Sequence, residues 1–293
     1  MSQNKLSAPM VKAFLDNDSE TFSYVVYDKP QGKGVVVDSV LDFDYKSGRT
    51  KTDSAQNIVN FVHEEGLEIE WILETHAHAD HLSAAPFLRE QLGAKVGIGE
   101  HIKGVQKIFK EVFNLEKEFL PNGADFDHLF ADEETFRVGE LQFRVIHTPG
   151  HTPADLAYLV NEQALFVGDT LFLPDVGTAR CDFPGGSSKT LFRSIKKLLA
   201  LAPETQMYIC HDYPTEGRSH EYLTTVAEQR SRNIHVHDGV SEQEFVEMRD
   251  TRDATLDMPR LILPSIQVNI RAGHMPPADD SGKIYLKLPL NQL

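Results

Sequence analysis

Three imidazoles and one carboxylate fall within the six residues His76-Ala77-His78-Ala79-Asp80-His81. They follow the most strongly patterned strand of the chain, in which Leu67, Ile69, Trp71 and Leu73 alternate with Glu68, Glu70, Ile72 and Glu74. The segment Leu82–Leu92 behind them reads as a helix closed by Gly93. The cluster therefore sits between a strand C-terminus and a helix N-terminus, where α/β proteins commonly place their sites. Residues two apart on an extended backbone face the same way, so His76 and His78 converge, while Asp80 and His81 point to a neighbouring spot. Zinc and iron both accept this mixture of imidazole and carboxylate.

Three isolated donors share that placement. His151 lies in a Pro-Gly turn, His147-Thr148-Pro149-Gly150-His151-Thr152, after an alternating strand. Asp169 follows the apolar run Ala164-Leu165-Phe166-Val167-Gly168, and His211 closes Tyr208-Ile209-Cys210. Each alone reads more readily as a structural histidine, a cap or a turn. Their joint position at the C-terminal ends of apolar strands is what marks them as ligands.

The remaining pattern alternates strands and helices. Thr21–Asp28 and Gly34–Asp38 read as a hairpin about Lys29-Pro30-Gln31-Gly32, and Ser54–Glu65 as a helix. Ala94–Ile98, Phe136–Val138, Leu141–His147, Leu156–Val160, Leu165–Gly168 and Gln206–Cys210 read as strands. Ser187 caps a helix carrying Leu191, Ile195, Leu198 and Leu199, and 102–119 is amphipathic. The alternation in Leu261–Gly273 predicts a strand or closing segment. At 293 residues one large domain is expected, with a body over 1–240 and an extension over 241–293 packed on it.

With 44 acidic residues against 29 basic, the net charge of −15 argues against a nucleic-acid surface and against docking on anionic membranes. No run is long and apolar enough for a transmembrane helix, and Met1–Glu20 has no apolar leader core. Only Cys181 and Cys210 are present, which points to a reducing, cytoplasmic setting.

The order His76-x-His78-x-Asp80-His81, His151, Asp169, His211 resembles the metal signature of the metallo-β-lactamase superfamily. That resemblance implies an α/β fold, an αββα sandwich of two mixed β-sheets with helices outside. Within the superfamily the chain most resembles the persulfide (sulfur) dioxygenases, in their bacterial β-lactamase-like hydrolase subgroup. The stretches carrying this are Thr75–His81, Thr148–Pro153, Gly168–Phe172, Arg180-Cys181-Asp182-Phe183 and His211-Asp212-Tyr213. The resemblance implies one Fe(II) per chain held by His76, His151 and Asp169. His78, Asp80, His81 and His211 would then be an unused second metal position or hydrogen-bond supports behind the first.

Two imidazoles and one carboxylate leave three positions open on an octahedral ion, the arrangement of non-heme iron oxygenases. By the resemblance, the implied reaction takes glutathione persulfide, O2 and water to glutathione and sulfite. All seven ligands of a two-metal site are also present, so ligand types leave open a glyoxalase II-type dinuclear zinc thioester hydrolase. Glutathione carries two carboxylates and an ammonium, so cations must be placed locally. Arg180 resembles an arginine of the persulfide dioxygenase family that lines the active site; otherwise it pairs with Asp182 or Asp175. The Tyr213 hydroxyl either reaches bound sulfur or belongs to a sheet edge. Arg218 either clamps a carboxylate or is a loop arginine. The apolar stripe of 102–119 covers a sheet or forms a homodimer contact.

Overall fold

The computed structural model describes residues 7–215 and 217–292; residues 1–6 of the N-terminal stretch read for a leader lie outside it. The chain opens with strands β1 (Met10–Asp16), β2 (Thr21–Tyr27), β3 (Lys33–Val37), β4 (Val40–Asp44) and β5 (Arg49–Lys51), then helix α1 (Asp53–Glu65). Strand β6 (Glu68–Leu73), the short β7 (Leu82–Ser83), α2 (Ala85–Leu92), β8 (Lys95–Gly99), α3 (Ile102–Val112) and β9 (His128–Phe130) follow. The second half holds β10 (Thr135–Val138), β11 (Leu141–His147), β12 (Leu156–Val160), β13 (Ala164–Phe166), α4 (Ser188–Leu198), β14 (Gln206–Tyr208) and β15 (Leu223–Thr225). Helices α5 (Val226–Arg232), α6 (Glu242–Asp253) and α7 (Ile262–Asn269) complete it.

These strands form two six-stranded sheets, ordered β1-β2-β3-β6-β8-β9 and β10-β11-β12-β13-β14-β15, with β5-β4-β7 as a small third. Both large sheets are mixed. In the first, β3, β6, β8 and β9 run parallel; in the second, only β13 and β14 do. The sheets pack face to face through Val26, Val37 and Leu73 on one side and Phe143, Tyr158 and Phe166 on the other. Outside the first sheet lie α1, α2, α3 and α7, through Ile58, Leu88, Phe109 and Ile266. Outside the second lie α4 and α6, through Leu191, Ile195 and Phe245. The result is a helix–sheet–sheet–helix sandwich, the α/β fold expected from the sequence.

Local chemistry fixes the helix ends. Gly66 at φ +67° closes α1, Ser187 caps α4 by accepting from Thr190 N–H, and Ser241 with Glu244 forms a reciprocal capping box on α6. Residues after 240 join the same body: α6 lies on α4 through Phe192 and Phe245, and α7 enters the core beneath the first sheet.

Three readings of the sequence change. Leu261–Gly273 forms a helix, not a strand, because Ile262, Ile266 and Ile270 recur at helical spacing and all three are buried. A short apolar stretch satisfies both periods, and the buried positions decide between them. The helix read as Leu82–Leu92 starts at Ala85, since Leu82 and Ser83 pair with β4 and Pro86 sits in the first turn. The amphipathic segment 102–119 is helical only to Val112, where Phe113 and the left-handed Asn114 (φ +43°) end it.

Candidate metal centre

The parallel strands deliver the donors. At the ends of β3 and β6 stand Asp38 and the loop Thr75–His81; at the ends of β13 and β14 stand Asp169 and His211. The turn between β11 and β12 carries His151. Two glycines make the close approaches possible. At Gly168 (φ +53°) a Cβ would stand 2.7 Å from Thr75 Oγ1, and at Gly150 (φ +147°) it would stand 2.3 Å from Leu191 Cα. Only a residue without a side chain lets Asp169 and His151 swing in beside the histidine loop.

Among the described residues four overlapping groups of donors result, two of them through Cys210 (with Asp38 and His78, and with Asp169 and His211) and two from histidines and carboxylates alone. Donor atoms of His76, His151 and Asp169 lie within 4.8 Å of one another, and so do those of His78, Asp80, His81 and His211. Asp169 stands between the groups. Its Oδ2 is 3.8 Å from His76 Nε2 and 3.6 Å from His151 Nε2, while its Oδ1 is 3.2 Å from His211 Nε2. All are buried except Asp80, which is partly exposed.

Buried polar atoms without hydrogen-bond partners are costly and rare. Here they concentrate in one spot: His76 Nε2, His78 Nδ1, His81 Nε2, Asp169 Oδ1 and His211 Nε2 all lack one. The opposite ring nitrogens are occupied. His76 Nδ1 is 3.0 Å from Thr75 Oγ1, and His151 Nδ1 donates to the Arg180 carbonyl at 2.7 Å. His78 Nε2 meets Asp38 Oδ1 and His81 Nδ1 meets Asp80 Oδ2, each at 3.0 Å. Rings fixed by one nitrogen, with the other bare and converging, are what a metal ion requires of its histidine ligands. The residues present therefore fit a metal, with room for one ion or two.

The electrostatics agree. Burial, with His78 and His151 close by, holds His76 well below the ordinary imidazole value, so it stays neutral and able to ligate. Burial opposes protonation of His78 and His211 as well, but Asp38 at the first and Asp169 and Asp80 at the second raise both well above that value. Asp155, beside His76, is pushed up to about 7 by burial. Carboxylates and imidazoles at this density are in a charge balance that a cation in their midst would reset.

Supports the sequence reading missed surround the donors. Asp38, held at φ +50°, accepts from Thr75 N and Thr75 Oγ1 as well as meeting His78. Thr21 Oγ1 lies 3.2 Å from His211 Nδ1. From α7, Asn269 donates to the carbonyls of His78 and His81 and accepts from Ser83 N, all at 2.8 Å. Asp38 carried the same signal as the others, a carboxylate ending an apolar strand; Asn269 carried none.

A cavity of about 350 Å³ opens onto this centre, touching Asp80, His151 and Asp169. Arg180 and Tyr213 line it. The Arg180 guanidinium is held by both oxygens of Asp182 at 2.6 Å and by the Asp257 carbonyl, over the Phe183 ring. Tyr213 stacks on His211 and meets Phe172 edge-on. Arg218, expected to clamp a substrate carboxylate, is not among the lining residues. Asp212 and Asp175 take its guanidinium instead, at 2.7 Å and 2.9 Å. Cys181 and Cys210 are buried, unpaired thiols raised by burial. Among the described residues no helix is long and apolar enough to cross a membrane.

Comparison with known proteins places this geometry. The family profile described as the metallo-beta-lactamase superfamily matches residues 17–211. The chain is 51% identical over 284 residues to glyoxylase B2 of Dictyostelium discoideum, covering 97% of each. It is 27% identical over 278 residues to the mitochondrial persulfide dioxygenase ETHE1 of Mus musculus, covering 94% of this chain and 93% of that one. The crystal structure of ETHE1 from Myxococcus xanthus superposes with a TM-score of 0.71 at 28% identity, over 90% of this chain and all of the other.

Proposed function

The chain belongs to the metallo-beta-lactamase superfamily, and from that premise we propose that it is an iron-dependent persulfide dioxygenase acting on glutathione persulfide. The observation carrying this reading is the group His76, His151 and Asp169, two imidazoles and one carboxylate converging beside a cavity, with His76 Nε2 unpartnered. Likeness to the two ETHE1 proteins supports it.

His76, His151 and Asp169 would hold the iron. When bound, the iron supplies the redox chemistry by which O2 oxidises a sulfane sulfur. The protein's own part is positional. The Arg180 carbonyl keeps the His151 proton on Nδ1 and its Nε2 free. Phe172 and Phe183 give the cavity apolar walls beside the donors, a surface that favours a soft sulfur group over water. The Tyr213 hydroxyl, on a side chain 42% exposed, offers a donor at the cavity wall. The unpaired Cys181 and Cys210 support a reducing, cytoplasmic setting.

A second reading has its own observation. The group His78, Asp80, His81 and His211 offers a complete neighbouring position, and the Dictyostelium relative is named glyoxylase B2. On that reading the protein is a dinuclear zinc thioester hydrolase. Metal analysis combined with two assays separates them. The dioxygenase contains about one iron per chain and consumes O2 with glutathione persulfide, releasing sulfite. Two zincs per chain with hydrolysis of S-lactoylglutathione and no O2 uptake would overturn it.

A further inference from the structure

The cavity beside the metal centre is charged in an unexpected way. The chain carries a net charge of −15, and the donor wall is acidic through Asp80 and Asp169. The remaining wall nevertheless presents four arginines, Arg180, Arg249, Arg252 and Arg260. They divide into two kinds. Arg180 is neutralised by Asp182, and Arg249, only 1% exposed, is paired with Asp253 at 2.6 Å. Arg252 and Arg260 have no carboxylate partner among the described residues. The Arg260 guanidinium reaches only the Asp18 carbonyl, at 3.4 Å, and lies 5.1 Å above the Tyr45 ring.

Their bases are anchored although their tips are exposed. Arg252 stands in the last turn of α6, which Phe245 and Arg249 pin into the interior. Arg260 immediately precedes Leu261 and Ile262, both buried. Two cations left unneutralised in so acidic a chain, on rigid supports, line a cavity of a size suited to a small organic ligand. The planar guanidinium matches a carboxylate bidentately. Asp18, on the same wall, supplies one anionic group among them.

We propose that Arg252 and Arg260 form a carboxylate-binding subsite at the cavity mouth that holds the two acidic ends of a dicarboxylate thiol carrier while its sulfur points to the donors. The carrier is glutathione on the reading above, and the inference rests on that reading for the carrier's identity. It moves substrate recognition to the segment after residue 240, and away from Arg218, whose guanidinium is already committed. Asp18, on the same wall, would take the ammonium that glutathione carries beside its γ-glutamyl carboxylate.

S-Methylglutathione, which cannot react, is the probe, and its diethyl ester is the control that removes both anionic ends. Isothermal titration of the metal-loaded protein should show the free acid binding at least tenfold tighter than the ester. In R252Q/R260Q that preference should vanish through a loss of about 10- to 100-fold for the acid. Metal content should stay at the wild-type level and the melting temperature close to it, because neither guanidinium touches a donor and Arg260 makes only one long bond and one exposed ring contact. With persulfide substrate the double variant should raise KM and leave kcat near its original value. A wild type that does not discriminate acid from ester, or a double variant that retains the discrimination, overturns the subsite. Failure of O2 uptake alongside an arginine-dependent preference for the acid would instead overturn the dioxygenase reading and leave the subsite standing.

Discussion

The Nδ1 of His151 donates to the backbone carbonyl of Arg180 at 2.7 Å, which ties an imidazole of the proposed metal centre to a loop that has no regular structure of its own. That loop is held from behind. Asp253 accepts the Cys181 N–H at 2.7 Å, and Arg249, paired with Asp253, donates to the Thr178 carbonyl at 3.0 Å. A buried ion pair on α6 thus sets the carbonyl that orients His151.

The first prediction follows from that chain of contacts. Asp253→Asn leaves the Arg249 charge buried without its counter-ion, which costs about 3–5 kcal/mol. Replacing both partners by apolar residues, R249M/D253L, should cost less, because no charge is then stranded. Both variants should weaken metal binding about 10- to 100-fold by releasing the loop behind His151. Denaturant unfolding and chelator-competition titration measure the two effects. Unchanged metal affinity in a folded R249M/D253L would show that the Arg180 carbonyl is set by something other than α6.

Asp169 presents one oxygen toward His76 and His151 and the other toward His211. Asp169→Ala should therefore remove metal and turnover together. His211→Ala takes a neighbour from Asp169 Oδ1 but removes no donor of the first group, and should retain about one metal per chain. Elemental analysis of the two purified variants checks this. Equal loss in both would mean that the two groups bind metal as one unit.

Much of this centre was legible in the chain because its donors lie at the C-terminal ends of apolar strands, where period-two patterning makes strand ends visible. His76 to His81, His151, Asp169 and His211 all announce themselves in that way. What stayed hidden was whatever reaches the site from a distant, differently patterned segment. Asn269 sits in a stretch whose alternation imitates a strand, and its partners are some 190 residues earlier, His78 and His81. Arg252 and Arg260 look like any surface arginine until α6 is docked on α4 and α7 on the first sheet's core. The short strands β5, β9 and β15 were missed because three residues carry too little period to read.

Asn269 gives the third prediction. Its amide satisfies two carbonyls of the histidine loop and one N–H, all buried. Asn269→Ala should destabilise the fold by about 2–4 kcal/mol, since three backbone groups lose their partner at once. Asn269→Asp keeps the acceptor for Ser83 N but turns the donor into an oxygen facing two carbonyls, so it should be at least as damaging. Thermal unfolding of the metal-free proteins measures this, and a harmless Asp substitution would remove the donated bonds from the account.

The last prediction concerns acid. His235 Nδ1 accepts the Thr178 N–H at 3.1 Å, and its ring lies where a Cβ on Gly177 would come within 2.2 Å. Burial, then the nearby charges of Arg249 and Arg252, lower this imidazole to about 4. In the unfolded chain the same group titrates near the ordinary value of about 6.5. Between those two values the unfolded state binds more protons than the folded one, so stability must rise with pH across the window. His235 therefore makes no pH-dependent demand above about 6.5, destabilises progressively below it, and reaches its full effect below about 4. Discounted for its partial exposure, the loss amounts to about 1–2 kcal/mol. His235→Asn can accept from Thr178 without titrating, so its stability should fall less than the wild type's between pH 7 and pH 4.5. Urea unfolding of both proteins at several pH values tests the difference, and parallel curves would mean that His235 protonates equally well folded and unfolded.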